Sequence, residues 1–288
     1  MVSAADSAVV SGMAEVLRRF RRHRPAVVGL VAFLAIVLVA VVGPLVWRYP
    51  YTELTLDYNQ PPSLAHPFGT DSIGHDELAQ VLRGLQQSLA VALAIAVVGT
   101  VGGTLWGAIS GYYRGPADSA LMRVADLILT LPPIALAAAL AGTSGAWWMI
   151  ALILGGLSAP YVARVVRGAV LGLREQEYVE AARALGASDA RIILRHLVPN
   201  ASAVIIVNST LLVATGILAE TALSFVGFGV RAPDTSLGLL ISDAQSAVLS
   251  RPWLFYSPGA FIILVALSVN FIGDGLRDAL DPRQARPR

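Results

Sequence analysis

Residues 127–163 read LILTLPPIALAAALAGTSGAWWMIALILGGLSAPYVA, 37 positions without a charged side chain. A helix rises about 1.5 Å per residue and the hydrocarbon layer of a bilayer is about 30 Å thick, so about 20 apolar residues complete one crossing. The run is too long for one crossing and fits two. The reversal falls at Gly142-Thr143-Ser144-Gly145, where turn-forming residues meet Trp147 and Trp148 as interface anchors. Pro132 and Pro133 break the first helix of the pair near its start.

Four more apolar runs flank this pair. Ala26–Trp47 is uncharged over 22 residues and Ser88–Tyr113 over 26; Pro199–Ala219 and Trp253–Ile272 complete a set of six crossings. The whole chain agrees with that reading. Its 288 residues are 56% hydrophobic and 14% charged, with a mean hydropathy of +0.66, whereas a soluble domain carries about 25% charged residues. The fold class is therefore all-α, an integral membrane protein with six transmembrane helices. The first run is too long for a secretory signal core, and no small-residue cleavage pattern precedes Arg48 and Tyr49; it reads as a retained anchor.

Orientation follows from arginine, which supplies all 21 basic residues. Seventeen lie before the first run, between the second and third or fourth and fifth, or after the sixth; only Arg48, Arg83, Arg231 and Arg251 lie in the other connecting segments. The positive-inside rule then places both termini in the cytoplasm. Several chemistries are excluded. Without cysteine there is no disulfide, thiolate metal site or catalytic thiol. Without lysine there is no G-x-x-x-x-G-K-[ST] loop, so the chain cannot itself hydrolyse ATP through one. Neither H-E-x-x-H nor G-x-S-x-G occurs. A net charge of +2 gives no case for nucleic acid.

Within the second run, Gly99, Gly103, Gly107 and Gly111 place a small residue at every fourth position of one face, the spacing that lets two helix backbones approach closely in lipid. Three carboxylates sit at or near membrane depth. Asp126 and Asp274 are each three residues from an arginine, Arg123 and Arg277, which predicts intrahelical ion pairs. Glu220 has no such neighbour. It reads either as an interhelical hydrogen-bond partner or as an ion-coupling group. Asn208, Ser209 and Thr210 form a polar cluster in the fifth run, as Ser268 and Asn270 do in the sixth; bundle-facing hydrogen bonds and a solute path both account for them. Glu220 with Asn208, Ser209 and Thr210 makes up the candidate translocation path.

Between the fourth and fifth runs lies RVVRGAVLGLREQEYVEAARALGASDARIILRHLVPN, residues Arg164–Asn200. Tyr178–Leu185 reads as a short helix ended by Gly186 in a left-handed conformation. Ser188 or Asp189 then caps a second helix, Ala190–Leu197. Val179, Ala182, Arg183 and Gly186 lie along one side of the first helix. Ala181 and Ala182 permit close approach by another protein, although a solvated amphipathic loop would have the same pattern.

Glu180-Ala181-Ala182 followed after three residues by Gly186 resembles the EAA signature of bacterial ABC importer permeases. His196-Leu197-Val198-Pro199-Asn200 is similar to its end in the peptide and nickel branch. HPFGTD (His66–Asp71), GYYRGPADSALMRVAD (Gly111–Asp126), AETALSFVGFG (Ala219–Gly229) and GDGLRDALDPR (Gly273–Arg283) resemble the C-type permease subunit of that branch, in matching order over most of the chain. One departure is Gly74-His75-Asp76, where members commonly have Gly-Arg-Asp. His66 and His75, nine apart in a loop, read as surface residues that support loop packing, with no metal ligand among them.

The resemblance implies an ABC-importer permease (MetI-like) bundle in the bacterial cytoplasmic (inner) membrane. Residues 1–25 would be a cytoplasmic tail, 26–87 the first helix and an extracytoplasmic loop, 88–282 the permease core with a coupling helix at about 176–190, and 283–288 a second tail. It implies partners: a homologous second permease, two ATP-binding subunits that carry ATP and magnesium, and an extracytoplasmic solute-binding protein. No cofactor is expected on this chain. The implied coupling residues are Tyr178, Val179, Glu180, Ala181, Ala182, Arg183, Leu185, Gly186, Ala187 and Ser188. Di- or oligopeptides are the expected solutes, with nickel or another small solute as the alternative. A stand-alone ion-coupled carrier using Glu220 is the reading from a different class, and the inverted repeats common in such carriers are not found.

Overall fold

The computed structural model describes residues 15–142 and 145–280. A short helical segment over 15–22 leads into α1 (Arg24–Val46), whose first turn is closed by His23 accepting from the Ala26 N–H at 3.2 Å. The longest element is α2 (Glu77–Tyr113). It is followed by α3 (Gly115–Thr130), α4 (Pro133–Ala141) and α5 (Trp147–Leu173). A two-helix elbow, α6 (Glu177–Ala184) and α7 (Asp189–Ile192), continues through a π turn at Ile193–Leu197 and the short Val198–Asn200 into α8 (Ser202–Phe225). Then come α9 (Leu237–Asp243) and α10 (Trp253–Leu280). Among the described residues the only β pairing is an isolated bridge between Thr70 and Asp76.

Five of these helices, α1, α2, α5, α8 and α10, are each long and apolar enough to cross a bilayer. A sixth crossing exists only as α3 and α4 taken together, bent by 90°. The bend sits at Leu131-Pro132, because Pro132 and Pro133 have no N–H to continue the ladder. Gly142, at the expected reversal, caps α4 with φ +55°, and Gly145 precedes α5 with φ +62°; Thr143 and Ser144 lie outside the described residues.

Four helices outrun their charge-free segments. α2 starts eleven residues before Ser88, because Asp76 accepts from the Ala79 N–H at 2.8 Å and caps it there. Its first turns carry Glu77 and Arg83, which polar partners accommodate. α5 runs past Ala163 to Leu173, α8 reaches Phe225, and α10 continues eight residues past Ile272. Charge at the end of a helix marks the edge of the hydrocarbon; it does not stop the backbone hydrogen-bonding.

The bundle is organised around α2, which packs on α5 along one face and on α8 along another; α10 fills the space between α1 and α8. The four glycines of α2 lie against α5. A methyl on Gly103 would stand 2.6 Å from the Ala159 carbonyl oxygen and 2.5 Å from Val162 Cβ, and one on Gly111 3.0 Å from Val170 Cβ. Gly107 faces the Ala163 carbonyl more closely still, and Gly99 faces Gly155 and Leu212. The ion pairs differ from expectation. Asp126 bonds Arg164 on α5 and not Arg123, and among the described residues Asp274 and Arg277 form no pair. The turn from α3 to α5 brings Arg164 across to Asp126, a tertiary approach that sequence spacing cannot report.

Candidate functional site

The elbow begins where α5 ends. Gln176 has extended backbone and starts α6. At the other end Gly186 takes φ +79°, with its N–H donating to the Arg183 carbonyl and the Ala187 N–H to the Ala182 carbonyl, both at 3.0 Å. These two bonds close the helix and reverse the chain, a geometry an L side chain adopts only with strain. Ser188 stands at the N-cap of α7, but its hydroxyl does not cap; Asp189 is the first helical residue and its carboxylate is engaged elsewhere. Beyond it, the N–H of Val198 reaches back to the Ile193 carbonyl. This wide turn gives room for the ring of Pro199, which a regular helix would press against the carbonyl of Arg195.

Burial sorts the elbow into two faces. Val179 is fully buried and packs with Ile192, Ile193 and Leu197 against Val166, Val170 and Tyr112; Ala182 and Ala187 border this cluster. Glu180, Ala181, Arg183, Gly186 and Ser188 are exposed, and so is Tyr178, whose ring lies 6.5 Å from that of His196. Partial burial pushes the Tyr178 phenol above its usual range. Leu185 is 88% exposed at the tip. The outer surface is therefore an apolar knob flanked by alanines and a glutamate, which the described residues leave uncovered.

Polar contacts fix the elbow to the bundle. The Tyr112 hydroxyl donates to Asp189 Oδ1 at 2.6 Å. Arg174 bonds the Tyr112 carbonyl, and Arg114 pairs with Glu175 at 2.6 Å. Nearby, Asp118 accepts from Nε and Nη2 of Arg167, both at 2.6 Å, and from the Ser110 hydroxyl, joining α2, α3 and α5. Two opposed, parallel N–H···O bonds make this the firmest ion pair at the elbow end.

The candidate path residues do not converge. Asn208 is nearly buried, donates to the Val204 carbonyl at 2.8 Å, and lines a cavity of about 430 Å³ with Tyr161, Val207 and Arg277. Ser209 and Thr210 donate to carbonyls of their own helix at 2.8 Å and face a different depression, of about 300 Å³, bordered by Leu93, Val97 and Thr100 of α2. Glu220 is fully buried. It accepts from the hydroxyls of Ser236 at 2.7 Å, Ser224 at 2.8 Å and Ser88 at 3.4 Å. Three hydroxyls from α2, α8 and the start of α9 satisfy this carboxylate in place.

Opposite the elbow, a second network holds the loop between α1 and α2. Asp76 accepts from Trp47 Nε1 at 2.8 Å and contacts His66 Nδ1 at 2.8 Å. His66 is 3% exposed and stacks on Tyr49 at 4.8 Å, so it is no surface residue. His75 pairs instead with Asp71 at 2.8 Å, and the two histidines do not share a site. Arg83 reaches Asp234 across to the loop before α9, with its closest approach at 2.6 Å. Sequence reasoning missed Asp76, Tyr112, Asp118 and Arg167. Asp76 had a readable signal, a cap residue followed by Glu and an apolar periodic run. The other three depend on contacts 49 to 77 residues apart in the chain.

Residues 103–286 match the binding-protein-dependent transport system inner membrane component family, and residues 11–62 match the N-terminal transmembrane domain of oligopeptide transport permease C. Among curated relatives, the oligopeptide transport system permease protein OppC of Mycobacterium tuberculosis is 43% identical over 273 residues, 93% of each chain. OppC of Bacillus subtilis is 39% identical over 274 residues, covering 93% of this chain and 89% of its own. The dipeptide transport system permease protein DppC of Alkalihalophilus pseudofirmus is 38% identical over 276 residues, covering 95% and 91%.

Proposed function

The chain belongs to the binding-protein-dependent transport system inner membrane components, non-catalytic multi-pass membrane permeases, and from this we propose that it is the permease subunit of an ATP-driven peptide importer whose elbow receives the motor. The relatives' names carry the peptide part of that reading. The elbow's outer face supports the motor part: Leu185 at 88% exposure, beside small residues, is an apolar knob that no described residue covers. Seated in a groove of a cytoplasmic ATP-hydrolysing subunit, it would be buried. The arginine distribution supports a cytoplasmic position for the elbow and for both chain ends.

In this reading a homologous second permease completes the translocation path, two ATPases bind ATP and magnesium, and a solute-binding protein delivers peptides from outside the bacterial inner membrane. Closure of the ATPases pulls the two elbows together, and the helices follow. Such a shift requires that the elbow contact the ATPase differently in its two nucleotide states. Solute choice rests largely with the binding protein. Glu220 has a sufficient structural role in its three serine bonds, which leaves the ion-coupled carrier without a distinguishing observation.

The test is Gly186→Leu in the assembled importer. The substitution strains the +79° backbone and places a bulky side chain at the tip. Peptide uptake is expected to be lost while the complex still assembles. Wild-type uptake would contradict the proposal.

A further inference from the structure

Tyr112 is 5% exposed on the last turn of α2 and touches both helices of the elbow. Its hydroxyl reaches α7 through Asp189, and the guanidinium of Arg183, on α6, lies 5.8 Å from its ring centroid. Arg174, at the end of α5, lies over the same ring at 5.7 Å. A phenylalanine would fill the same space against Val166 and Val170. What the hydroxyl adds is a bond to the elbow.

The other end of α2 is tied as firmly to the opposite face. Asp76 caps the helix and at the same time holds Trp47 and His66; Arg83, in its second turn, holds Asp234. Between these ends run 37 residues without proline, about 55 Å of uninterrupted helix. Its helix runs unbroken through Gly102-Gly103 and Ser110-Gly111, so α2 joins the two ends as one continuous element. Its glycine face packs directly on the α5 backbone, with Val162 seated over Gly103 and Val170 over Gly111, so the two helices are held in close register.

We propose that Tyr112 is a positioning residue through which movement of the elbow is passed along α2 to the loops on the opposite face. The proposal rests on the reading of the elbow as the ATPase contact. A pull on α6 and α7 reaches α5 through the packed valine cluster and α2 through Tyr112, and α2 carries it to the residues that hold the outer loops in register. Communication runs both ways, since coupling between two sites is reciprocal: an event at the outer loops, such as arrival of a loaded binding protein, is felt at the elbow.

The experiment uses the complete importer in vesicles, with Tyr112→Phe, Asp189→Ala and the double variant. The readout is the ratio of ATP hydrolysis with peptide-loaded binding protein to hydrolysis without it. Each single variant is expected to lower that ratio about fivefold or more, and the double variant is expected to be no worse than either. A wild-type ratio in both single variants would overturn the proposal. So would loss of assembled complex with an unchanged ratio, the sign of a packing role alone. Cross-linking of an elbow cysteine to the ATPase in the otherwise wild-type importer separates the two levels. If the cross-link forms and the ratio is insensitive, Tyr112 alone is misassigned; if it never forms, the elbow reading falls too.

Discussion

Gly102→Ala and Gly103→Ala add the same methyl to adjacent positions of α2, yet the bundle separates them sharply. At Gly103 the new carbon would sit 2.6 Å from the Ala159 carbonyl oxygen and 2.5 Å from Val162 Cβ, against an ordinary contact distance of 3.4 Å or more. Neither neighbour is the tip of a flexible side chain, so α2 and α5 must separate by roughly 0.8 Å over several turns. Overpacking of this kind costs about 1–3 kcal/mol. At Gly102 the nearest atom is Ala159 Cβ at 3.5 Å, a normal contact, and alanine gains up to about 1 kcal/mol in helix propensity. Gly103→Ala gains the same propensity, so the two variants are expected to differ by the overpacking alone, about 1–3 kcal/mol, Gly103→Ala being the weaker protein. Equilibrium unfolding of the purified chain in mixed micelles measures this directly. Equal stabilities, within about 0.5 kcal/mol, would refute the claim that the glycine face sets the spacing of α2 and α5.

Two further outcomes follow from the buried and half-buried carboxylates. Glu220→Gln keeps the oxygen that accepts from Ser224 and Ser236 and is expected to retain uptake, while Glu220→Ala strands three hydroxyls and costs about 1–3 kcal/mol in the same unfolding assay; loss of uptake in the glutamine variant would revive an ion-coupling role. Asp243, outside the spanning helices, has its carboxyl raised by burial and by Asp71, so the folded chain binds that proton more tightly than the unfolded one. Its stability contribution accordingly grows as pH falls from neutrality through the raised value toward the ordinary carboxylate range. Asp243→Asn should flatten that part of a melting-temperature profile, and an unchanged profile would remove the group from consideration.

Hydropathy located the five continuous spanning helices, because the absence of charge over about 20 residues reports a property of the solvent that surrounds the helix, but it gave no sign that the remaining run is the bent pair α3 and α4. It misplaced helix ends for the same reason: Glu77 and Arg83 belong to α2 because Ser257 and Asp234 receive them. The glycine period announced a close helix contact without saying that α5 is the partner. The elbow was legible down to its turn, since Gly186 and the cap position of Ser188 act within a few residues. Its attachment was not, because Tyr112 and Asp189 meet across 77 positions. The polar cluster Asn208-Ser209-Thr210 shows the converse. Three adjacent polar residues on a helix point about 100° apart, and here they face two separate depressions while satisfying themselves on their own backbone.

Since the natural chain has no cysteine, Leu185→Cys introduces a single reactive probe at the elbow tip, and a second cysteine can be scanned along the candidate groove of the ATPase. Disulfide formation between the two, with a yield that changes between ATP-bound and nucleotide-free importer, is the expected result. Absence of any cross-link at every groove position in a transport-competent complex, or labelling of Leu185→Cys by a membrane-impermeant thiol reagent from outside intact cells, would contradict the elbow as the seat of the motor.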